Sequence, residues 1–275
     1  MTAATPPAPT QLQKIAETSA FLGVILVSLA WCLISKPVVE ALKWLGVIRL
    51  TAPPVDLRGQ VAIVTGASAG IGRSTAAALA ANGATVVLAV RSRERGEAAR
   101  ALIEQDLAAC ARQESDTGAL FPRYLAADPA TTAPAGKVEV MEVDLSDFAS
   151  VRAFAQAFLE THASLDILVN NAGIGSDPQR QTTVQGENIV WGTNFVSHFL
   201  LTELLLPALK AAPAGRIVNL ASVTHHAASS DVLANFDRAS RSPYQDSKLA
   251  AVLLSLPPFP PQRACPLGAR RAGGR

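Results

Sequence analysis

Val61-Ala62-Ile63-Val64-Thr65-Gly66-Ala67-Ser68-Ala69-Gly70-Ile71-Gly72 is the stretch that decides the fold. Four successive apolar residues, Val61 to Val64, read as a strand covered on both faces. Glycines then permit a tight turn, and the alanine-rich run beyond Gly70 reads as a helix. A strand that turns through glycine into a helix points free N–H groups and the positive end of a dipole at the turn, where a phosphate can sit. Gly66 permits the turn, while Gly70 and Gly72 let the backbone approach a pyrophosphate and pack helix on strand. Ser68 and Ile71, in the same turn, join them as candidate cofactor contacts.

Far downstream, Tyr244-Gln245-Asp246-Ser247-Lys248 sets a phenol and an ammonium one helical turn apart on the same face. A neighbouring cation favours phenolate, so such a tyrosine can trade a proton near neutral pH. Between the two segments, strand-like runs at Val61–Thr65, 84–90, 137–143, 166–170 and 216–221 alternate with helix-like runs at about 70–82, 93–112, 147–161 and 186–211. That alternation predicts a doubly wound parallel sheet with right-handed crossovers. The Pro/Gly/Ala/Thr-rich stretch 113–136 fits no crossover and reads as a surface insertion.

With its Gly-x-x-x-Gly-x-Gly spacing and downstream Tyr-x-x-x-Lys, the chain resembles the short-chain dehydrogenase/reductase superfamily over residues 57–256. The resemblance implies a Rossmann-like α/β fold and a nicotinamide cofactor. It assigns Asp144, in Asp144-Leu145, to the adenine amino group, and Asn170-Asn171-Ala172-Gly173 to the sheet centre and the cofactor wall. It makes Tyr244 the proton donor or acceptor and a cofactor contact, Lys248 the group that lowers the tyrosine pKa and binds the nicotinamide ribose, and Ser222 the holder of the substrate oxygen. Asn194, in Gly192-Thr193-Asn194-Phe195, matches the asparagine that anchors a proton-relay water. Arg91, following the second strand with Arg93 nearby, offers a guanidinium fork to a ribose 2′-phosphate, which favours NADP(H) over NAD(H). The 22 residues from Ser222 to Tyr244, and Val218-Asn219-Leu220 before Val223-Thr224-His225-His226, resemble the retinol- and polyprenol-dehydrogenase-like branch.

Composition bounds the rest. A chain of 275 residues, 49% hydrophobic and 17% charged, can bury one sizeable α/β core. A net charge of +2 with scattered basic residues carries no nucleic-acid footprint. Cys32, Cys110 and Cys265 have no metal or redox spacing, and His225-His226 reads as loop or pocket wall, so no metal is expected. Oligomerisation is left open.

Outside the sheet, residues 1–17 read as disordered and 18–35 as a transmembrane anchor, built on the uncharged run from Ala20 to Ile34. Those 18 residues make about 27 Å of helix, which suits an endoplasmic-reticulum type of bilayer. Lys36, Lys43, Arg49 and Arg58 after the span, against Lys14 before it, orient the catalytic domain to the cytosol. A plastid or mitochondrial address is the alternative. Residues 36–56 read as an amphipathic segment and linker. Residues 257–275, with five prolines, three glycines and four arginines, resemble no strand or lid, so the sheet is expected to lack its C-terminal strands.

Two functions follow from this reading. The first is an NADP(H)-dependent oxidoreductase interconverting a lipophilic alcohol, retinoid- or polyprenoid-like, and its carbonyl. The second is a truncated, catalytically inactive product that at most binds cofactor. The anchor is expected to keep the chain in the pellet on carbonate extraction of microsomes, with the Tyr244 region open to added protease. Release into the supernatant would rule out the anchor, and protection would rule out the orientation.

Overall fold

The computed structural model describes residues 55–111, 136–175, 181–228 and 243–255, together with residues 177, 179 and 232. The anchor, the insertion and the C-terminal tail expected from sequence lie outside the described residues, apart from the edges of the segments assigned to linker and insertion.

Five strands form one parallel sheet in the order β3-β2-β1-β4-β5. They are β1 (Val61–Thr65), β2 (Thr85–Val90), β3 (Val138–Glu142), β4 (Ile167–Asn170) and β5 (Arg216–Asn219). The helices are α1 (Gly70–Ala81), α2 (Arg93–Ala111), α3 (Phe148–Thr161), α4 (Ile189–Ala211) and α5 (Pro243–Leu254). The fold class read from the sequence is therefore observed, with most strands trimmed by one or two residues. β5 stops at Asn219 because the next two residues turn away towards Ser222, which caps a short 3₁₀ turn, Val223–Ala227.

Alternation along β1 explains the layers. Ala62 and Val64 face a cluster with Ala76, Ala77 and Ala80 of α1 and Ala99, Ile103 and Leu107 of α2. Ile63 faces the opposite cluster, with Val151, Phe154 and Phe158 of α3 and Leu201, Leu205 and Leu209 of α4. A parallel strand sandwiched this way must be apolar at every position, which is why the run had no polar interruption. Small alanines on α1 let that helix lie close against β1 and β2.

Two helix starts are set by side-chain caps. Asp147 caps α3, its Oδ1 accepting from the Ala149 N–H at 2.9 Å. Asn188 caps α4 by accepting from Val190 and Trp191 at 3.0 and 3.1 Å. The sequence reading began that helix near 186 and ran it without interruption. It begins at Ile189, and Gly192–Val196 is a π-turn in which the Ser197 N–H reaches back to the Gly192 carbonyl. α4 is long and apolar enough by composition to cross a membrane, but its Leu201 and Leu205 are fully buried against the sheet and α3, as in a core helix.

Packing here is steeply position-dependent. Phe158 is fully buried and stacks on His162 at 4.5 Å between ring centroids, whereas its neighbour Leu159 is 41% exposed. Phe158→Ala is expected to cost about 3–5 kcal/mol in urea unfolding, and Leu159→Ala under about 1 kcal/mol.

Candidate active site

Strand order places the glycine turn and the Asn170–Gly173 segment side by side. β1 pairs in parallel with β4 on one side and β2 on the other, so the order in which strands are added reverses at the β1–β4 junction and a crevice opens at the carboxyl ends of both. Gly66 adopts φ +66°, and a Cβ there would stand 2.9 Å from the Ala172 Cα. A Cβ on Gly72 would stand 2.6 Å from the Gly66 carbonyl oxygen. Any side chain at either position would close the cradle. α1 starts at Gly70 with Ala69 as its cap, no side chain satisfies its first N–H groups, and no acid lies in its first turn. These residues fit a dinucleotide: a bare helix end faces the place where its phosphates would lie.

The other nucleotide candidates sit around this cradle. Ile71 is 68% exposed at the mouth, a costly position for an isoleucine that nothing covers, while Ser68 is half-buried. Arg91, just past β2, is exposed, and no carboxylate among the described residues pairs with it. Arg93, by contrast, faces Glu97 at 3.8 Å on α2. Asp144 follows β3, with Oδ1 accepting from the Ser146 N–H at 2.8 Å and the Ser146 hydroxyl at 2.7 Å. Leu145 is a core residue, 7% exposed, and its carbonyl accepts from the Ser197 hydroxyl at 2.5 Å. Asn171 closes the floor, donating from Nδ2 to the Thr65 carbonyl at 2.6 Å.

The catalytic candidates gather at the ends of β4 and β5. Asn194, at the centre of the π-turn, accepts at Oδ1 from the Ile174 N–H at 2.8 Å. Its Nδ2 donates to the Ile174 carbonyl at 3.0 Å and to Ser247 Oγ at 3.1 Å. That side chain thus ties the segment after β4 to α5. Lys248 is buried and its Nζ donates to the Leu220 carbonyl at 2.8 Å, two residues before Ser222. The same ammonium lies 5.8 Å from the Tyr244 ring centroid, as the one-turn spacing requires. Burial pushes its pKa down from the ordinary lysine value. A Cβ on Gly173 would stand 3.4 Å from Asn194 Oδ1 and 3.6 Å from Lys248 Nζ, which places this position beside both side chains. Ser222 Oγ lies 2.9 Å from Thr224 Oγ1, and its carbonyl accepts from His225 Nδ1 at 2.6 Å. The His225 and His226 rings lie tilted by 35° with centroids 4.0 Å apart within the 3₁₀ turn.

Four participants were not assigned from sequence: Thr65, His198, Ser247 and the Leu220 carbonyl. His198 was findable in part, because it lies one turn beyond Asn194 on the same helix. Its ring reaches Thr65 Oγ1 at 2.9 Å, and that contact spans 133 positions of chain. Burial in the core, with the Lys248 charge nearby as a smaller cause, pushes its pKa down to about 4.

A short chain dehydrogenase family profile matches residues 60–119 and 122–255. Human dehydrogenase/reductase SDR family member 13 is 42% identical over 217 residues, covering 74% of this chain and 49% of that protein. Human retinol dehydrogenase 12 is 38% identical, covering 73% and 56%. Mouse polyprenol dehydrogenase is 40% identical, covering 74% and 56%. Among solved structures, a metagenomic short-chain oxidoreductase in complex with NADP superposes with a TM-score of 0.51 at 29% identity, covering 73% of this chain and 75% of that one. The chain spans about half the length of the curated relatives it matches.

A depressed histidine pKa makes stability depend on pH with a definite sign. The stability contributed by neutral His198 is fully present above its unfolded pKa of 6.5 and lost as pH falls towards about 4. The loss is expected to total about 3 kcal/mol at roughly 1.4 kcal/mol per pH unit. Urea denaturation at several pH values in that window, with His198→Gln giving a flatter profile, checks it.

Proposed function

The chain belongs to the short chain dehydrogenase family, and on that premise we propose that it is an NADP(H)-dependent oxidoreductase interconverting a lipophilic alcohol and its carbonyl. The observation that carries this reading is the convergence at Lys248. One ammonium touches the Leu220 carbonyl before Ser222, faces the Tyr244 ring, and lies against Gly173 beside the glycine cradle.

The residues divide the work by their chemistry. Gly66, Ser68, Gly70, Ile71 and Gly72 cradle the pyrophosphate at the helix end, and Arg91 takes the 2′-phosphate with its planar fork. Asp144, Asn171, Ala172 and Gly173 line the rest of the nucleotide site. Tyr244 holds the proton that the substrate oxygen gains on reduction and loses on oxidation. Lys248 stabilises the phenolate form of the tyrosine beside it. Ser222 orients the substrate oxygen. Asn194 fixes the segment that carries Gly173 relative to α5. The nicotinamide, when bound, supplies the hydride chemistry.

Substrate class is read from relatives. The retinol- and polyprenol-dehydrogenase names favour an isoprenoid alcohol, and the uncharged run from Ala20 to Ile34 would hold the domain at a membrane where such a substrate dissolves. The NADP complex among the structural relatives supports the phosphate-bearing cofactor, as does the exposed Arg91.

Fluorescence titration with NADPH and NADH, followed by assay on retinal and polyprenal, tests the reading. NADPH is expected to bind about tenfold more tightly, roughly 1.4 kcal/mol, with the preference lost in Arg91→Ala. Tyr244→Phe is expected to lower turnover by at least about 100-fold while leaving NADPH affinity unchanged. Binding without turnover in the unaltered chain would overturn the oxidoreductase and leave a nucleotide-binding protein.

A further inference from the structure

We propose that His198 is a positioning residue that locks the cofactor turn to the catalytic helix through one fixed pattern of hydrogen bonds; this rests on the oxidoreductase reading above. His198 is 3% exposed, on α4. Its two ring nitrogens have partners on different elements. Nδ1 lies 2.9 Å from the Asn194 carbonyl, and Nε2 lies 2.9 Å from Thr65 Oγ1 at the end of β1.

Donor and acceptor counting fixes every proton along this path. A carbonyl can only accept, so Nδ1 carries the ring proton. The neutral ring then accepts at Nε2, and the Thr65 hydroxyl donates to it at 2.9 Å in preference to the Val169 carbonyl at 3.4 Å. Both lone pairs of Thr65 Oγ1 are filled by the N–H groups of Asn171 and Ala172, each at 2.9 Å. On the other side, Asn194 Nδ2 donates to Ser247 Oγ, and that hydroxyl donates to the Tyr244 carbonyl at 2.7 Å. A continuous polar path therefore runs from the floor of the cofactor crevice, through His198, to the first turn of the helix that carries Tyr244 and Lys248.

Position, and not proton transfer, is what this path transmits. A doubly protonated His198 would aim its second N–H at an oxygen whose lone pairs are already taken. Burial and the nearby Lys248 ammonium disfavour the same state. The π-turn is part of the device. Ser197 bonds back to Gly192, so the ladder is locally reset where the His198 ring grips the Asn194 carbonyl.

The experiment uses the full chain without cofactor. Long-range ¹H–¹⁵N spectra, assigned by loss of one signal in His198→Gln, are expected to show His198 as the Nδ1–H tautomer from pH 5 to 8. An Nε2–H tautomer, or titration within that range, overturns the proposal. Amide hydrogen exchange then reads the coupling at each end. His198→Leu is expected to speed exchange at least about tenfold at Asn171, Ala172 and Ile174, with Val86–Leu88 in β2 unchanged. In His198→Gln a carbonyl oxygen remains near the Nε2 position, so protection is expected to return at Asn171 and Ala172 but not at Ile174. Uniform acceleration across the sheet, or no change at these three amides, overturns the proposal. NADPH titration of the unaltered chain is read separately: no binding would sink the oxidoreductase reading and leave the tautomer and exchange results standing.

Discussion

The parallel pairing of β1 with β4 is the constraint on which the rest depends. It sets Ala62 against Ile167 and Val64 against Val169, and so brings two segments a hundred positions apart to one crevice. The glycine turn alone would be an uncapped helix end of no chemical consequence. With Asn171 donating to the Thr65 carbonyl, the floor is closed and both strand ends are held in register. Every later element, from the π-turn to α5, is built outward from that junction.

Burying polar groups here carries a cost that the site accepts for position. Lys248 is held in the core with only a carbonyl at hydrogen-bond distance among the described residues, and burial lowers its pKa. His198 is kept neutral by the same physics. Isolated, either group would weaken the fold. Lys248 is held by the Leu220 carbonyl, and His198, joined to Asn194, Ser247 and Thr65, forms a hydrogen-bonded network that can hold one arrangement of the two helices. β5 stands apart from this economy of burial: its Ile217 and Val218 are 41% and 45% exposed, on a strand that pairs only with β4 among the described residues.

Much of the fold was legible before any coordinates. The apolar runs of β1, β2 and β4 are those of strands covered on both faces, and alanine at 76, 77 and 80 marks the helix that packs closest. Boundaries were less legible. The start of α4 depends on Asn188 accepting from two backbone N–H groups, and three residues earlier Gly186 has a left-handed φ of +86° that no periodicity shows. The π-turn was not legible at all, since one extra residue in a turn leaves composition and hydrophobic spacing nearly intact.

The sequence by itself determined the local chemistry: glycines where a backbone must approach, a phenol and an ammonium one turn apart, an arginine where a second strand ends. Such features depend on neighbours within a few positions, and the period of a strand or helix is enough to align them. Tertiary structure alone decided which distant groups meet. Lys248 finds the Leu220 carbonyl 28 residues back, Asn194 finds Ser247 53 residues on, and His198 finds Thr65 across 133. Those meetings follow from strand order and helix packing, which are properties of the whole chain's burial and leave no mark on the residues between.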